Sequence, residues 1–332
     1  MVILVFDIYS CEIYHTYRVR DYLISKQVHH GVVVSRFGNR AEVENDQGKL
    51  ISCHIRRALS DLVTGDHVNW EWVPEDDDDN KGVITKIQER TSVLKRPIRY
   101  QGLKPVAANI DQVLVVTAVE PPFTDRILDR YLVAIEQSGI DAVLILNKTD
   151  LITAGHPVRE SMTIYQALGY KVIETSCKQD DIAHDLTDVL AHKTSVFVGQ
   201  SGVGKSSLVN QILPEVKTDV ASLSETSGLG THTTTTSRLY HLDHEAVLID
   251  SPGIREFGMD HLDAQQIASG FIEIAEFSQQ CKFRDCSHVK EPGCAVKQAV
   301  ASGDIHQNRY DNYLYLYEES VSYTHLTLPT IA

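Results

Sequence analysis

The chain has 332 residues, 42% of them hydrophobic and 23% charged, and a formal net charge of −14. A chain of that length can bury more than one core, so two or three domains are expected. Six cysteines are too few for a disulfide scaffold. The apolar opening MVILVF stops at Asp7, short of a signal peptide, and no later stretch reaches the roughly 18 apolar residues that span a bilayer. A soluble, cytoplasmic protein with no membrane partner is expected.

The acidic total speaks against nucleic acid, but charge is local. The run EDDDDN (Glu75–Asn80) carries much of the excess and reads as a solvated loop. CHIRR (Cys53–Arg57), ERTSVLKRPIR (Glu89–Arg99) and CKFRDC (Cys281–Cys286) are basic islands.

Residues 1–29 read as an atypical tail, aromatic-rich and nearly balanced in charge. Over residues 30–98, GVVVSRF, AEVEN, LISCHIRR, DHVNWEWV and GVITKIQER alternate apolar and polar residues between turn sequences such as NDQGK and VTGD. Five short strands without helices between them predict a small closed barrel, and an OB-fold fits the count and offers a surface for RNA.

Over residues 99–259, apolar strands alternate with amphipathic helices. QVLVVTA precedes DRILDRYLVAIEQSG, AVLILN precedes VRESMTIYQALG, KVIETS precedes another helix, and SVFVG runs into KSSLVNQIL before RLYHL and AVLID. Such strands between helices predict an α/β domain around a parallel sheet, with ligands held at the carboxyl ends of the strands. Over residues 260–320, AQQIASGFIEIAEF and GCAVKQAVASG read as helices around a Cys/His cluster. Residues 321–332 resemble translated sequencing-adapter read-through and are expected to be non-native.

Gly199-Gln200-Ser201-Gly202-Val203-Gly204-Lys205-Ser206-Ser207 matches the P-loop pattern, follows a strand and opens a helix. The glycines let successive N–H groups face the β- and γ-phosphates, Lys205 adds a cation, and the Ser206 hydroxyl suits Mg2+. DSPG ends an apolar strand downstream; Asp250 suits Mg2+ through water and the Gly253 N–H can sense the γ-phosphate. Asn147-Lys148-Thr149-Asp150 supplies the choice of base. The Asp150 carboxylate accepts from guanine N1–H and N2–H, a donor pair that adenine lacks. Asn147 ties this loop to the P-loop, the Lys148 stem covers the ring, and Ser176, in Thr175–Cys177, lies where a backbone N–H can reach O6.

Base reader, phosphate loop, then sensor is the usual cyclic order of a GTP-binding domain cut between sensor and base reader, so circular permutation is expected. The hydroxyl-rich TSGLGTHTTTTSR (Thr226–Arg238) fits a switch loop in which Thr234 completes the Mg2+ shell, with Thr233 and Thr235 as near alternatives. After Gly253, where many GTPases carry the glutamine that orients water, stands Ile254, so unaided hydrolysis should be slow. His232, in the switch loop, can hydrogen-bond a water. Cys281, Cys286, His288 and Cys294 give a Cys3His set with no open position, the pattern of one structural Zn2+. Cys11, Cys53 and Cys177 do not share that spacing.

GQSGVGKSS, SGLGTHTTT, DSPGIREFG and CKFRDCSHVKEPGC, in this permuted order, resemble the RsgA/YjeQ family, the ribosome small subunit-dependent GTPases, from about Gly31 to Glu319. The resemblance implies an N-terminal OB-fold, a central permuted GTPase domain and a C-terminal zinc domain. It also implies GTP, GDP and Mg2+ as ligands, and as partners the small ribosomal subunit and its 16S rRNA during late maturation. It points to His232 as the catalytic residue, beside Lys205 and Thr234. Members of that family usually carry basic tails, so the start is expected to be misassigned and the true terminus missing. Nothing demands a dimer, and a monomer is expected.

Two other classes stay open at this stage. A P-loop phosphotransferase has no use for a guanine reader, a zinc module and a barrel together. A non-enzymatic RNA-binding module with GTP as structural ligand is kept open by the missing glutamine.

Overall fold

A computed structural model of the chain describes residues 27–73, 81–98, 102–153, 155–176, 178, 182–213, 237–250 and 262–327. His232, Thr234, Gly253 and Ile254 lie outside the described residues, as do the acidic run and the remainder of the switch segment before Ser237. The chain divides into two compact units, Met1–Arg90 and Thr91–Ala332.

In the first unit, β1 (His29–Phe37), β2 (Arg40–Asn45), β3 (Leu50–Ile55), β4 (His67–Trp72) and β5 (Lys81–Ile87) pair in the order β1-β2-β3-β5-β4, and β1 also pairs with β4. The ring is therefore closed, and the sole parallel pair in it is β3 with β5, the connectivity of an OB-fold. Alternation sets the inside: Val33, Ala41, Val43, Ile51, Cys53, Val68, Trp70 and Ile84 form one buried core. Burial pushes the Cys53 thiol up to about 12, so it is an inert core residue. Buried Asp66 accepts two bonds from Arg90, at 2.6 and 2.9 Å, and one from the Val63 N–H, which fixes the end of the barrel chain.

The second unit opens with a two-stranded ribbon, β6 (Val93–Ile98) and β7 (Gly102–Ala108). Next come β8 (Gln112–Ala118), α1 (Asp125–Glu136), β9 (Asp141–Asn147), α2 (Pro157–Ala167), β10 (Lys171–Glu174) and α3 (Ile182–Leu190). β11 (Thr194–Val198), α4 (Lys205–Ile212), β12 (Arg238–His241) and β13 (Val247–Asp250) complete the sheet region. Within this unit the strands lie in the order β10-β9-β8-β11-β13-β12. β8 to β13 are parallel apart from β12, which runs antiparallel to β13. β12 differs because its link to β13 is a short turn over residues 242–246, and a parallel neighbour needs a crossover of a dozen or more residues.

β8, β9 and β10 step outward in one direction, whereas β11 returns to the other side of β8. The order thus reverses between β8 and β11, the switch point beside which doubly wound sheets bind ligands. Val143, Ile145, Leu114, Val116, Phe197 and Leu248 on these strands pack with Leu186 of α3 and Leu208 of α4 into one core.

Among the described residues four helices follow: α5 (Ala264–Gly270), α6 (Ile272–Ser278), α7 (Ala295–Ser302) and α8 (Gln307–Thr327). AQQIASGFIEIAEF is two helices, broken at Phe271 in extended backbone (φ −91°, ψ 100°). The break accompanies close packing at Gly270, where an added Cβ would lie 2.7 Å from Val133 of α1. α8 is unassigned by the sequence reading, and its backbone runs across the 320/321 boundary to Thr327.

α8 is joined to α1 by a buried ionic cluster. Arg309 donates to Glu273 of α6 through Nε (2.6 Å) and Nη2 (2.9 Å), and to Asp129 of α1 through Nη1. Asp129 also accepts from Asn312 Nδ2 (2.6 Å) and Tyr165 Oη (2.7 Å). Arg309, Asp129 and Glu273 are all buried, and the guanidinium lies 4.5 Å from the Phe271 ring centroid.

Candidate functional site

The carboxyl ends of β9, β10 and β11 bring the base-reading and phosphate loops into contact. Asn147 closes β9 with its side chain buried; Nδ2 donates to the Val203 carbonyl at 2.9 Å and Oδ1 accepts from Thr175 Oγ1 at 3.1 Å. One amide therefore links three loops that are distant in sequence. Gly204 makes room for it. Its φ is +99°, and an added Cβ would sit 2.3 Å from Asn147 Nδ2. Gly199 is fixed by the same logic, with φ +138° and the Val116 carbonyl 2.2 Å from a hypothetical Cβ.

Lys148 stands in left-handed backbone (φ 60°), which turns the chain sharply at the strand end. Its ammonium donates to the Gly202 carbonyl and to the Glu120 carbonyl, each at 2.7 Å, so its stem is drawn across from the base loop to the phosphate loop. Thr149 donates from N (3.1 Å) and Oγ1 (3.0 Å) to the Thr175 carbonyl. Both oxygens of Asp150 are engaged: Oδ1 by Ser176 Oγ at 2.7 Å and Oδ2 by Lys178 Nζ at 2.8 Å. These partners, Lys178 first, hold the Asp150 carboxyl below its ordinary value.

Gln200, Ser201, Gly202 and buried Val203 form the turn between β11 and α4, whose N-cap is Gly204. Lys205 Nζ rests on the carbonyls of Gly199 (2.6 Å) and Gln200 (2.5 Å), while Ser206 and Ser207 are exposed in the first turn of α4. Backbone N–H groups at a helix start beside a lysine suit a polyphosphate. Asp250 is the last residue of β13, the strand next to β11.

The Cys/His cluster is a separate centre. The ligand atoms of Cys281, Cys286, His288 and Cys294 all lie within 4.8 Å of one another. Cys281 and Cys294 sulfurs are 3.9 Å apart, and His288 Nδ1 is 3.6 and 3.5 Å from them. With metal–sulfur bonds of about 2.3 Å and metal–nitrogen bonds of about 2.0 Å, the edges of a tetrahedron around zinc are about 3.8 Å (S–S) and 3.5 Å (S–N), so the donor set fits. Burial lowers the His288 pKa, which favours the neutral imidazole that ligates metals.

Comparisons with known proteins bear on this geometry. Residues 87–260 match the RsgA GTPase family model. The small ribosomal subunit biogenesis GTPase RsgA of Haemophilus influenzae (strain PittEE) is 50% identical over 303 residues, 90% of this chain and 88% of that protein. The protein of the same name from Histophilus somni (strain 2336) is 50% identical over 285 residues, 85% of this chain and 81% of that one.

The chain belongs to the RsgA GTPase family.

The crystal structure of YjeQ from Thermotoga maritima superposes with a TM-score of 0.73 at 34% identity, covering 89% of this chain and 99% of that one. YloQ, a circularly permuted GTPase, superposes at 0.71 with 31% identity, covering 90% and 96%. As a member of the RsgA family the chain is a GTP-hydrolysing enzyme with a circularly permuted nucleotide domain, and guanine nucleotide is its ligand class.

Sequence reasoning passed over three participants. The Glu120 carbonyl lies in the β8–α1 loop, and no side-chain pattern marks a carbonyl. Thr175 serves through a buried hydroxyl and a carbonyl in a strand-end threonine that reads as ordinary. Lys178 lies two residues beyond Ser176, and its pairing with Asp150 depends on how that loop folds back.

Proposed function

We propose that this GTPase acts in late maturation of the small ribosomal subunit, binding the subunit and its 16S rRNA as a cytoplasmic monomer and hydrolysing GTP to GDP and phosphate faster with the subunit than alone. The subunit is carried by the names of relatives that are half identical over nine-tenths of the chain. The observation that carries the site is the Asn147–Val203 bond, which joins the base loop to the phosphate loop across 56 residues of sequence.

In this reading Asn147, Lys148, Thr149, Asp150 and Ser176 hold guanine, and the amides of Gly199, Gln200, Ser201, Gly202, Val203, Gly204, Lys205, Ser206 and Ser207 surround the phosphates. Gly253 senses the γ-phosphate, and Ser206, Asp250 and Thr234 hold Mg2+. When bound, that ion neutralises developing phosphate charge. Lys205 adds a fixed cation, and His232 hydrogen-bonds the attacking water. Cys281, Cys286, His288 and Cys294 hold one structural Zn2+ that folds the residue 260–320 module; apparent binding energies of such sites are about 10 kcal/mol or more. The barrel of β1–β5 is the RNA-binding module, and the sheet of β8–β13 carries the permuted GTPase domain.

Conversion of GTP to GDP, measured alone, with purified small subunits and with small-molecule acceptors, tests the reading. Slow conversion alone that subunits accelerate supports it. Turnover only with a small-molecule acceptor would replace it with a phosphotransferase, and no turnover under any condition with an RNA-binding module.

A further inference from the structure

Glu291 lies between His288 and Cys294 and belongs to neither the donor set nor the nucleotide site. Its carboxylate accepts four bonds from its own loop. Oε1 takes the Ser287 N–H (3.1 Å) and Ser287 Oγ (2.6 Å); Oε2 takes the N–H groups of Val289 (3.2 Å) and Lys290 (3.1 Å). These donors bracket His288 on both sides. The opposite edge of the same turn is held from α8: Tyr313 Oη donates to the Ser287 carbonyl at 2.7 Å and Tyr310 Oη to the His288 carbonyl at 2.6 Å. His288 itself sits at φ +59°, left-handed backbone that a residue with a Cβ adopts only when its surroundings impose it. Here a carboxylate on one edge and two phenols on the other impose it, and the imidazole is thereby aimed at the sulfurs of Cys281 and Cys294.

We infer that Glu291 is the positioning residue of the metal centre: it holds the 287–290 turn in the strained form that presents His288 to the metal, without touching the metal itself. The inference rests on the reading of the four side chains as zinc ligands. Outer groups that orient a ligand typically change metal affinity 10- to 100-fold when removed. Glu291→Gln keeps the size but turns an amide nitrogen toward backbone N–H groups, so donor meets donor. Glu291→Ala removes all four bonds.

The test is competition between the full-length protein and a chromophoric zinc chelator, on wild type, Glu291→Gln and Glu291→Ala, with GDP affinity as the check that the nucleotide domain is folded. Thermal melts of each protein with zinc bound and with zinc removed separate positioning from general support of the fold. The expected result is one zinc per chain in all three, wild-type GDP affinity, a 10- to 100-fold weaker zinc constant in the variants, and a smaller zinc-dependent gain in melting temperature with the zinc-free melts unchanged. Zinc affinity within twofold of wild type in Glu291→Ala would overturn the inference. So would equal losses in the zinc-bound and zinc-free melts, because they would make Glu291 a fold contact only. A wild-type chain that takes up no zinc would instead overturn the ligand assignment on which the inference rests.

Discussion

Asp150 is ionised with help: an ammonium on one oxygen and a hydroxyl on the other lower its pKa. A carboxyl with a lowered pKa keeps its charged form above that pKa and loses it as pH falls through it. Guanine affinity that depends on this charge should therefore persist through the ordinary carboxylate range and fail only below it. Lys178→Met should move the acid limb of GDP affinity to higher pH while changing affinity little near neutrality, as binding measured across pH would show. Gly204 gives a steric prediction of opposite kind. Gly204→Ala places a methyl 2.3 Å from Asn147 Nδ2 in backbone that disfavours any side chain. Loss of the Asn147–Val203 bond and displacement of the phosphate loop should weaken GDP binding by tenfold or more, roughly 1.4 kcal/mol at the least, with the barrel unaffected. His232→Ala should leave GTP affinity near wild type and remove the turnover stimulated by subunits; unchanged stimulated turnover would end its catalytic role.

Arg309 makes α8 part of the body on which α1 packs. It faces Asp129 and Glu273 in a buried setting, so Arg309→Leu leaves two carboxylates without their cation. Removing one partner of a buried ionic cluster typically costs about 3–5 kcal/mol. Urea unfolding of that variant should show a loss of this order, whereas replacing Arg309, Asp129 and Glu273 together by apolar residues of similar size should cost much less. None of this is legible in QNRYDNYLYLYEES, whose arginine and tyrosines suit a solvent face as well as a buried one. β8, β9 and β11 were legible because strands covered on both faces must be apolar throughout. The β6–β7 ribbon was not, since VLKRPI and GLKPVAA carry prolines and charges that a central strand excludes. The break at Phe271 escaped the sequence because helical periodicity continues through it, and the packing at Gly270 that accompanies it involves α1.

At the scale of the whole chain, permutation was readable because each nucleotide loop is a local motif whose chemistry survives relocation, while the sheet order that reunites the loops appears only in three dimensions. Both tryptophans, Trp70 and Trp72, lie on β4, so their fluorescence reports on the barrel. The clustering of Cys281, Cys286, His288 and Cys294 was legible from spacing, but the glutamate that shapes their loop was not, because a lone Glu among Lys, Pro and Gly reads as solvated charge. GDP at about 100 times its dissociation constant should stabilise the nucleotide-binding unit by about 2.7 kcal/mol, read as slowed hydrogen exchange in β8, β9 and β11. The most direct test of a guanine site assembled from permuted loops is calorimetry of GDP, ADP and XDP binding to wild type and Asp150→Asn. Wild type should bind GDP well above ADP, and Asp150→Asn should lose GDP and gain XDP, whose carbonyl stands where guanine carries its amino group and suits the asparagine amide. A wild type that prefers ADP, or a variant whose preference is unchanged, would contradict the account.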